Sequence, residues 1–235
     1  TSMATPVVAG MALLLREYFL NVYPQLCSPG YGACTGESIT PSGYLLKAVL
    51  LHTAQPVASY STPNFDGKTT IASYTLGTPP DSVQGYGMVN LHSIVPLSSS
   101  EQKEHNFYVM DKLNVPMWNV YMFTVEVTSS KKPLRVTIAW YDYVSAVGQS
   151  SSLLIRNLDL RVVKQKSGHE WHGNGVENDS LNPQEQVHIE SPDTGVYQVY
   201  ISGSSAMEVN AAIVVTCAGS VTSEPARFIE NADVD

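Results

Sequence analysis

The sequence predicts a chain in two parts: the helices of an α/β domain at residues 1–98, followed by an all-β antiparallel sandwich or jelly roll at residues 104–220. Two observations predict this order. Apolar residues near the N-terminus recur with helical spacing, whereas beyond position 104 they alternate with polar residues as in strands. A polar stretch at residues 97–104 separates the two patterns and has the composition of a linker. Residues 221–235 are predicted to form a C-terminal tail.

Two helices are predicted in the first part. The first runs from Met3 to about Tyr23, and its apolar residues cover so much of the helix circumference that packing partners are expected on most sides. The second follows Pro41, which we place in its first turn, and ends at Gln55-Pro56. Because residues 57–97 show mostly turn and loop chemistry, we expect the sheet that covers these helices to lie upstream.

The second part shows a period of two. Short segments of alternating apolar and polar residues, separated by turn residues, are typical of an antiparallel sandwich or jelly roll. The predicted strands cover residues 121–127, 134–140, 158–162, 197–201 and 209–215.

Composition excludes some classes of partner. With 235 residues, 43% of them apolar and 14% charged, the chain can bury a substantial core. Its formal net charge is −8 and it has no block of Lys or Arg, so we expect no nucleic-acid partner. The apolar stretch at residues 7–15 is much shorter than the roughly 20 residues that a membrane helix needs. We therefore expect no membrane partner either.

The hexapeptide Thr1-Ser2-Met3-Ala4-Thr5-Pro6 stands directly before the first helix. A serine nucleophile needs a rigid mount and a site that stabilises negative charge, and the free N–H groups at a helix N-terminus provide both. Serine is also a preferred N-cap residue, so capping the helix is an alternative role for Ser2. The residues alone leave both roles open.

The hexapeptide resembles the nucleophile motif of subtilisin-like serine proteases. Residues 42–51 look like the next helix of that family, and residues 84–90, Gln-Gly-Tyr-Gly-Met-Val-Asn, look like its closing glycine-rich turn. Residues 137–142 and 157–160 resemble the β-domain of certain secreted alkaline subtilisins. The resemblance covers most of the chain, but the glycine that normally precedes Thr-Ser in the family is absent.

This resemblance implies a serine endopeptidase that hydrolyses peptides or proteins through an acyl-enzyme on Ser2. In the family, the catalytic Asp and His and the oxyanion Asn all precede the Ser. We therefore expect the chain to be a C-terminal portion whose partner is an upstream segment, and to be inactive alone. The six histidines are expected to be structural, since no pattern places one against Ser2.

A structural calcium ion is the next expectation, whereas the chemistry requires no cofactor. Asp142, Asn157 and Asp159 are oxygen-bearing residues near predicted strand ends, and hard cations select such ligands. In the resembling proteases, related segments are associated with calcium. Here Arg156 and a neutral Asn157 depart from that pattern and weaken a cation site, so solvated turn residues are the alternative.

Cysteine usage and family resemblance together indicate a secreted protein, or one within the secretory or endolysosomal route. Cys27 and Cys34 would close a short disulfide loop, leaving Cys217 unpaired or bonded to the upstream segment. Asn178-Asp179-Ser180 is a glycosylation sequon.

A second class of function is a non-catalytic binding module whose β-sandwich recognises a glycan or a protein, with the Ser2 segment as an inert protease remnant. Sandwich folds host many functions, so the fold does not exclude it. Trp118 and Trp171 are the candidate sugar platforms, and burial in the core is the alternative for each.

Overall fold

The structure is a computed structural model that describes residues 2–23, 39–64, 66–67, 70–95, 107–116, 118–143, 154–203, 208–223 and 226–228. The predicted linker at 97–104 and the predicted disulfide between Cys27 and Cys34 lie outside the described residues. Within them, two antiparallel sheets form a sandwich, and two helices lie on the outer face of one sheet.

Both predicted helices are present. Helix α1 spans Ala4–Glu17 and continues as a π-helical turn over Tyr18–Val22. Helix α2 spans Gly43–His52. The prediction that Pro41 lies in the first turn of α2 is wrong, because Ser42 is the N-cap and its Oγ accepts a hydrogen bond from the Leu45 N–H at 3.0 Å. The cap satisfies a first-turn donor, so the helix begins after Ser42.

A β-hairpin occupies part of the segment that we predicted to be mostly turn and loop. Strand β1, Ser59–Pro63, pairs with β2, Thr70–Thr75. Tyr60 and Tyr74 lie opposite each other with stacked rings, 5.0 Å between centroids, and both are exposed. The two short strands carry few apolar residues, so no alternating pattern predicts them.

The antiparallel sandwich is confirmed. All five predicted strands occur, and further strands complete two sheets. Residues 226–228, which we predicted to lie in the tail, form a strand that pairs with β4. The first sheet contains, in order, β3 (Phe107–Val115), β10 (Val209–Thr216), β5 (Leu134–Trp140) and β8 (Gln184–Ile189). The second contains β11 (Gly219–Val221), β4 (Val120–Val127), β9 (Gly195–Gly203), β6 (Leu158–Lys164) and β7 (Glu170–His172), with β12 (Ala226–Phe228) also pairing with β4.

The inner faces of the two sheets form the main core. Alternate residues of each central strand point inward and are fully buried, which is the cause of the period of two in the sequence. Examples from five strands are Phe123, Ile138, Leu160, Val199 and Ile213.

A second core joins the helices to the outer face of the first sheet. Leu15, Phe19 and Leu45 pack there against small side chains such as Ala139 and Ala212. The sandwich therefore supplies a sheet that covers one side of the helices, a role that we had assigned entirely to an upstream segment. Strands β5 and β10 are consequently buried on both faces.

Candidate functional site

Ser2 lies in an exposed turn just before α1. The N-cap of α1 is Met3, whose side chain makes no cap hydrogen bond. The alternative role of Ser2 as the helix cap is therefore not adopted. The first turn contains no acidic residue, so none of its side chains offsets the positive end of the helix dipole. Negative charge develops next to the attacking hydroxyl during acyl transfer, and the end of a helix dipole that is positive stabilises such charge.

An exposed apolar face on α1 begins one residue after Ser2. The exposed fractions are 88% for Met3, 57% for Val7 and 66% for Leu14, whereas Leu15, one residue farther round the helix, is fully buried. Gly10 lies along this helix, and a Cβ added there would meet no atom within 4 Å. The helix thus carries apolar residues around much of its circumference, as its sequence predicts, but the rest of the structure covers only one side of it.

Five of the six histidines lie within the described residues, and His105 lies outside them. Among the described residues, no hydrogen bond joins Ser2 to a histidine side chain. His92 and His169 are exposed, and the His169 ring lies edge-on to Trp171 with centroids 4.3 Å apart. His172 is half-buried, with Nε2 3.9 Å from Glu170 Oε2.

His52 joins α2 to the sandwich. Its Nδ1 lies 2.9 Å from Thr137 Oγ1 on β5, and its Nε2 lies 2.9 Å from Thr216 Oγ1 on β10. Burial holds the pKa of His52 well below its ordinary value, and the charges of Arg135 and His188 add to this effect. His52 is therefore a neutral structural side chain with both ring nitrogens in use.

The three predicted calcium ligands divide into two separate hydrogen-bonded groups. Asp142 accepts hydrogen bonds from the backbone N–H groups of Tyr143, Ile155 and Arg156, at 2.7 to 2.8 Å. Asn157 Nδ2 instead donates to both carboxylate oxygens of Asp159, each at 3.2 Å. In the described parts of the chain, no group of three or more His, Cys, Asp or Glu residues is arranged to hold a metal ion. Calcium binding stays a prediction.

Glu185, whose charge interacts with that of Asp159, has a buried carboxyl group, and the sequence did not predict this burial. Glu185 is 1% exposed, and its Oε2 accepts a hydrogen bond from the Leu160 N–H at 2.6 Å. Burial raises the pKa of Glu185 to about 8, and the negative charges of Asp159 and Asp179 contribute to the increase. The spacing in the sequence could have indicated this burial. Glu185 stands two residues before Val187 and four before Ile189, and all three face inward on β8.

The glycine-rich turn at residues 84–90 is anchored to both parts of the structure. Gly87 has φ +105°, and a Cβ there would lie 2.2 Å from the Gln55 carbonyl oxygen, so only glycine fits. The Tyr86 hydroxyl donates to Asn174 Oδ1 at 2.7 Å. Asn174 also donates through Nδ2 to Asp179 and to the Gln184 carbonyl oxygen. These contacts hold the turn against the loop that precedes β8.

The remaining candidates have mixed environments. Trp118 is 68% exposed with φ +55°, whereas Trp171 packs against the main core. Asn178 of the sequon is exposed with φ +58°. Cys217 is a buried free thiol, and burial raises its pKa to about 11.

No helix in the described residues has the length and apolarity to cross a membrane. Comparison with known protein families found no family that matches the chain, and comparison with the curated proteins found no relative.

Proposed function

We propose that this chain is the C-terminal portion of a subtilisin-like serine endopeptidase. In the assembled enzyme, Ser2 Oγ attacks the scissile carbonyl carbon and forms an acyl-enzyme, while an upstream His accepts the Ser2 proton. An upstream Asp orients that His. An upstream Asn and the Ser2 backbone N–H stabilise the oxyanion of the tetrahedral intermediate. The family resemblance of the Ser2 segment implies this division of roles.

The observation that carries the proposal is the position of Ser2. Its side chain is exposed at the N-terminus of a 14-residue helix, and the cap position is occupied by Met3 rather than Ser2. A serine that served as the helix cap would have its oxygen engaged with a backbone N–H of the first turn. Ser2 instead precedes the N-cap, and the positive end of the helix dipole favours negative charge that develops near it.

The exposed face of α1 supports the upstream partner. Met3, Val7 and Leu14 form an apolar stripe that remains exposed although the sandwich covers the other side of the helix. Burying such a stripe contributes about 25 cal/mol per Å² of apolar surface, which favours association with a complementary element. The upstream protease segment is the occupant that the family resemblance implies.

The experiment is active-site labelling of the protein with its upstream segment restored. A fluorophosphonate reacts rapidly only with a serine activated by an assembled catalytic site. We expect mass spectrometry to place the label on the peptide that contains Ser2, and the Ser2→Ala variant to lose it. The variant Ser220→Ala, altered at an exposed serine of β11, should be labelled like the unmodified protein. Labelling that persists in Ser2→Ala would refute the assignment.

The β-sandwich is proposed to stabilise the protease rather than to take part in the chemistry. The buried contacts of His52, together with the shared core of α2 and the first sheet, support this role. A version with upstream sequence restored but ending near Leu97 should unfold at a lower temperature than the full protein. If the shortened and full proteins unfold at equal temperatures and respond equally to calcium, the stabilising role of the β-sandwich is wrong. Secretion, or residence in the secretory or endolysosomal route, belongs to the same proposal.

One observation favours the second candidate, a non-catalytic binding module. Trp118 is 68% exposed in a left-handed backbone conformation, whereas Trp171 is partly buried against the core. An exposed tryptophan offers a flat apolar surface for a sugar ring. Binding of a glycan panel that is lost in Trp118→Ala, but retained in the exposed-tyrosine variant Tyr74→Ala, would favour this function. Fluorophosphonate labelling of Ser2 would favour the protease.

A further inference from the structure

A cavity with a volume of about 230 Å³ opens between the C-terminal end of α2 and the outer face of the first sheet. Its lining combines side chains from four places in the chain: the end of α2, the 3₁₀ turn Leu91–Ser93, the segment before β5, and the end of β10. An engineered apolar cavity of about 150 Å³ accommodates benzene, so this cavity has room for a small organic or inorganic molecule.

Positive charge dominates the ionisable groups of the lining. Lys132 and Arg135 both line the cavity, and no aspartate or glutamate is among its lining residues within the described parts of the chain. The lining also contains His52, which burial holds in the neutral form, and the thiol of Cys217. The local charge is therefore opposite in sign to the formal net charge of −8 of the whole chain.

The Arg135 guanidinium forms no ion pair within 4.0 Å among the described residues, although the charge of Glu190 acts on it from farther away. Its Nη1 donates to the carbonyl oxygens of His52 and Ala54, and its Nη2 lies 3.3 Å from His188 Nδ1. The nearest contact of Glu190 among the described ion pairs is with His188, whose Nε2 lies 3.0 Å from Glu190 Oε2. The Nε of Arg135 is buried without a hydrogen-bond acceptor. Buried guanidinium groups are usually paired, because their desolvation is costly.

We propose that this cavity is a binding site for a small oxyanion, such as a phosphate or carboxylate group, held between Arg135 and Lys132. None of the lining residues within the described parts of the chain is a carboxylate, and guanidinium groups form strong charge-assisted hydrogen bonds with phosphate and carboxylate oxygens. Lys132, which is exposed and also lines the cavity, adds a second positive charge. The site is separate from Ser2 and does not rest on the proposed protease function.

Isothermal titration calorimetry of this chain tests the site, with inorganic phosphate in one arm and acetate in the other. Sodium chloride keeps the ionic strength constant in both. We expect saturable binding of one anion per chain, and the arm that binds more tightly identifies the chemistry of the oxyanion. Heat that shows no saturation in either arm would refute the site.

The sharper test compares two adjacent lysines. Lys131 and Lys132 are both exposed, but only Lys132 lines the cavity. Lys132→Gln should weaken binding at least tenfold, whereas Lys131→Gln should change it less than twofold. Equal weakening by both substitutions would show general charge attraction and refute the site. Arg135 is less suitable for this test, because it also binds the carbonyl oxygens at the end of α2.

Discussion

Replacing His52 with alanine should destabilise the junction between α2 and the sandwich. The side chain is 2% exposed, and each ring nitrogen lies 2.9 Å from a threonine hydroxyl, on β5 and on β10. Removal of the ring leaves both hydroxyls without this partner and opens a cavity. A buried polar group that loses its hydrogen-bond partner costs about 1–3 kcal/mol, so we expect the free energy of unfolding to fall by about 3–5 kcal/mol in total.

The same substitution has a signature in pH. Burial lowers the pKa of His52 in the folded chain, so below the ordinary histidine pKa of 6.5 the unfolded chain binds a proton at this position and the folded chain does not. The unmodified protein therefore loses stability as the pH falls below about 6.5, by at most about 1.4 kcal/mol per pH unit for this residue. His52→Ala lacks this loss, so the difference in stability between the two proteins should narrow towards pH 5.5.

Urea unfolding at pH 7.5, 6.5 and 5.5, followed by circular dichroism, measures both effects. The control is His92→Ala, altered at an exposed histidine, which should change the free energy of unfolding by less than about 0.5 kcal/mol. A difference between His52→Ala and the unmodified protein that stays constant with pH would refute the reasoning about burial. A loss below about 1 kcal/mol at pH 7.5 would refute the role of the two hydrogen bonds.

Three further predictions concern stability in urea. Leu15→Ala, at a fully buried position, should cost about 3 kcal/mol, whereas Leu14→Ala, at a position 66% exposed, should cost less than about 0.5 kcal/mol; equal losses would contradict the described face of α1. Gly87→Ala should cost more than Gly85→Ala, by about 2 kcal/mol, because only Gly87 adds a clash with Gln55 to a positive φ; similar losses would refute the close approach. Glu185→Gln should stabilise the chain by about 3 kcal/mol at pH 7 and by much less at pH 5, with chelator present. Burial raises the pKa of Glu185 to about 8, so at this residue the unmodified protein loses stability as the pH rises above 4.5. A gain in stability at pH 5 equal to that at pH 7 would contradict this reasoning. An equal gain in the control Glu126→Gln, altered at an exposed glutamate, would contradict it as well.

The sequence predicted strands wherever the inward-facing residues are apolar without interruption. Strand β5 is such a case, since its inward residues Leu134, Val136 and Ile138 are all apolar. Strand β8 escaped prediction because its first inward residue is Glu185, and a charged side chain at a buried position breaks the apolar pattern. Strand β3 is interrupted by Lys112, whose φ of +59° accompanies an irregular register with β10.

The candidate site was predictable only in part, for a physical reason. The Ser2 segment is local in sequence, so its residue types alone predict a serine at a helix N-terminus, while its role as a nucleophile rests on the family resemblance. The contacts of His52 are not local, since its two threonine partners lie 85 and 164 residues away in the chain. The cavity at Arg135 is likewise assembled from distant segments. Such sites depend on tertiary packing, which no short pattern in the sequence encodes.

The second core, shared by the helices and the first sheet, also has a consequence for how the molecule can be divided. Leu45 and Val49 of α2 cover small residues of the sheet, among them Ala139 and Ala212. A protein begun at residue 104 would leave that apolar strip open to water and would tend to associate with itself. The polar stretch at 97–104 marks a change of pattern in the sequence, but cutting there would separate the two surfaces that pack together in the second core.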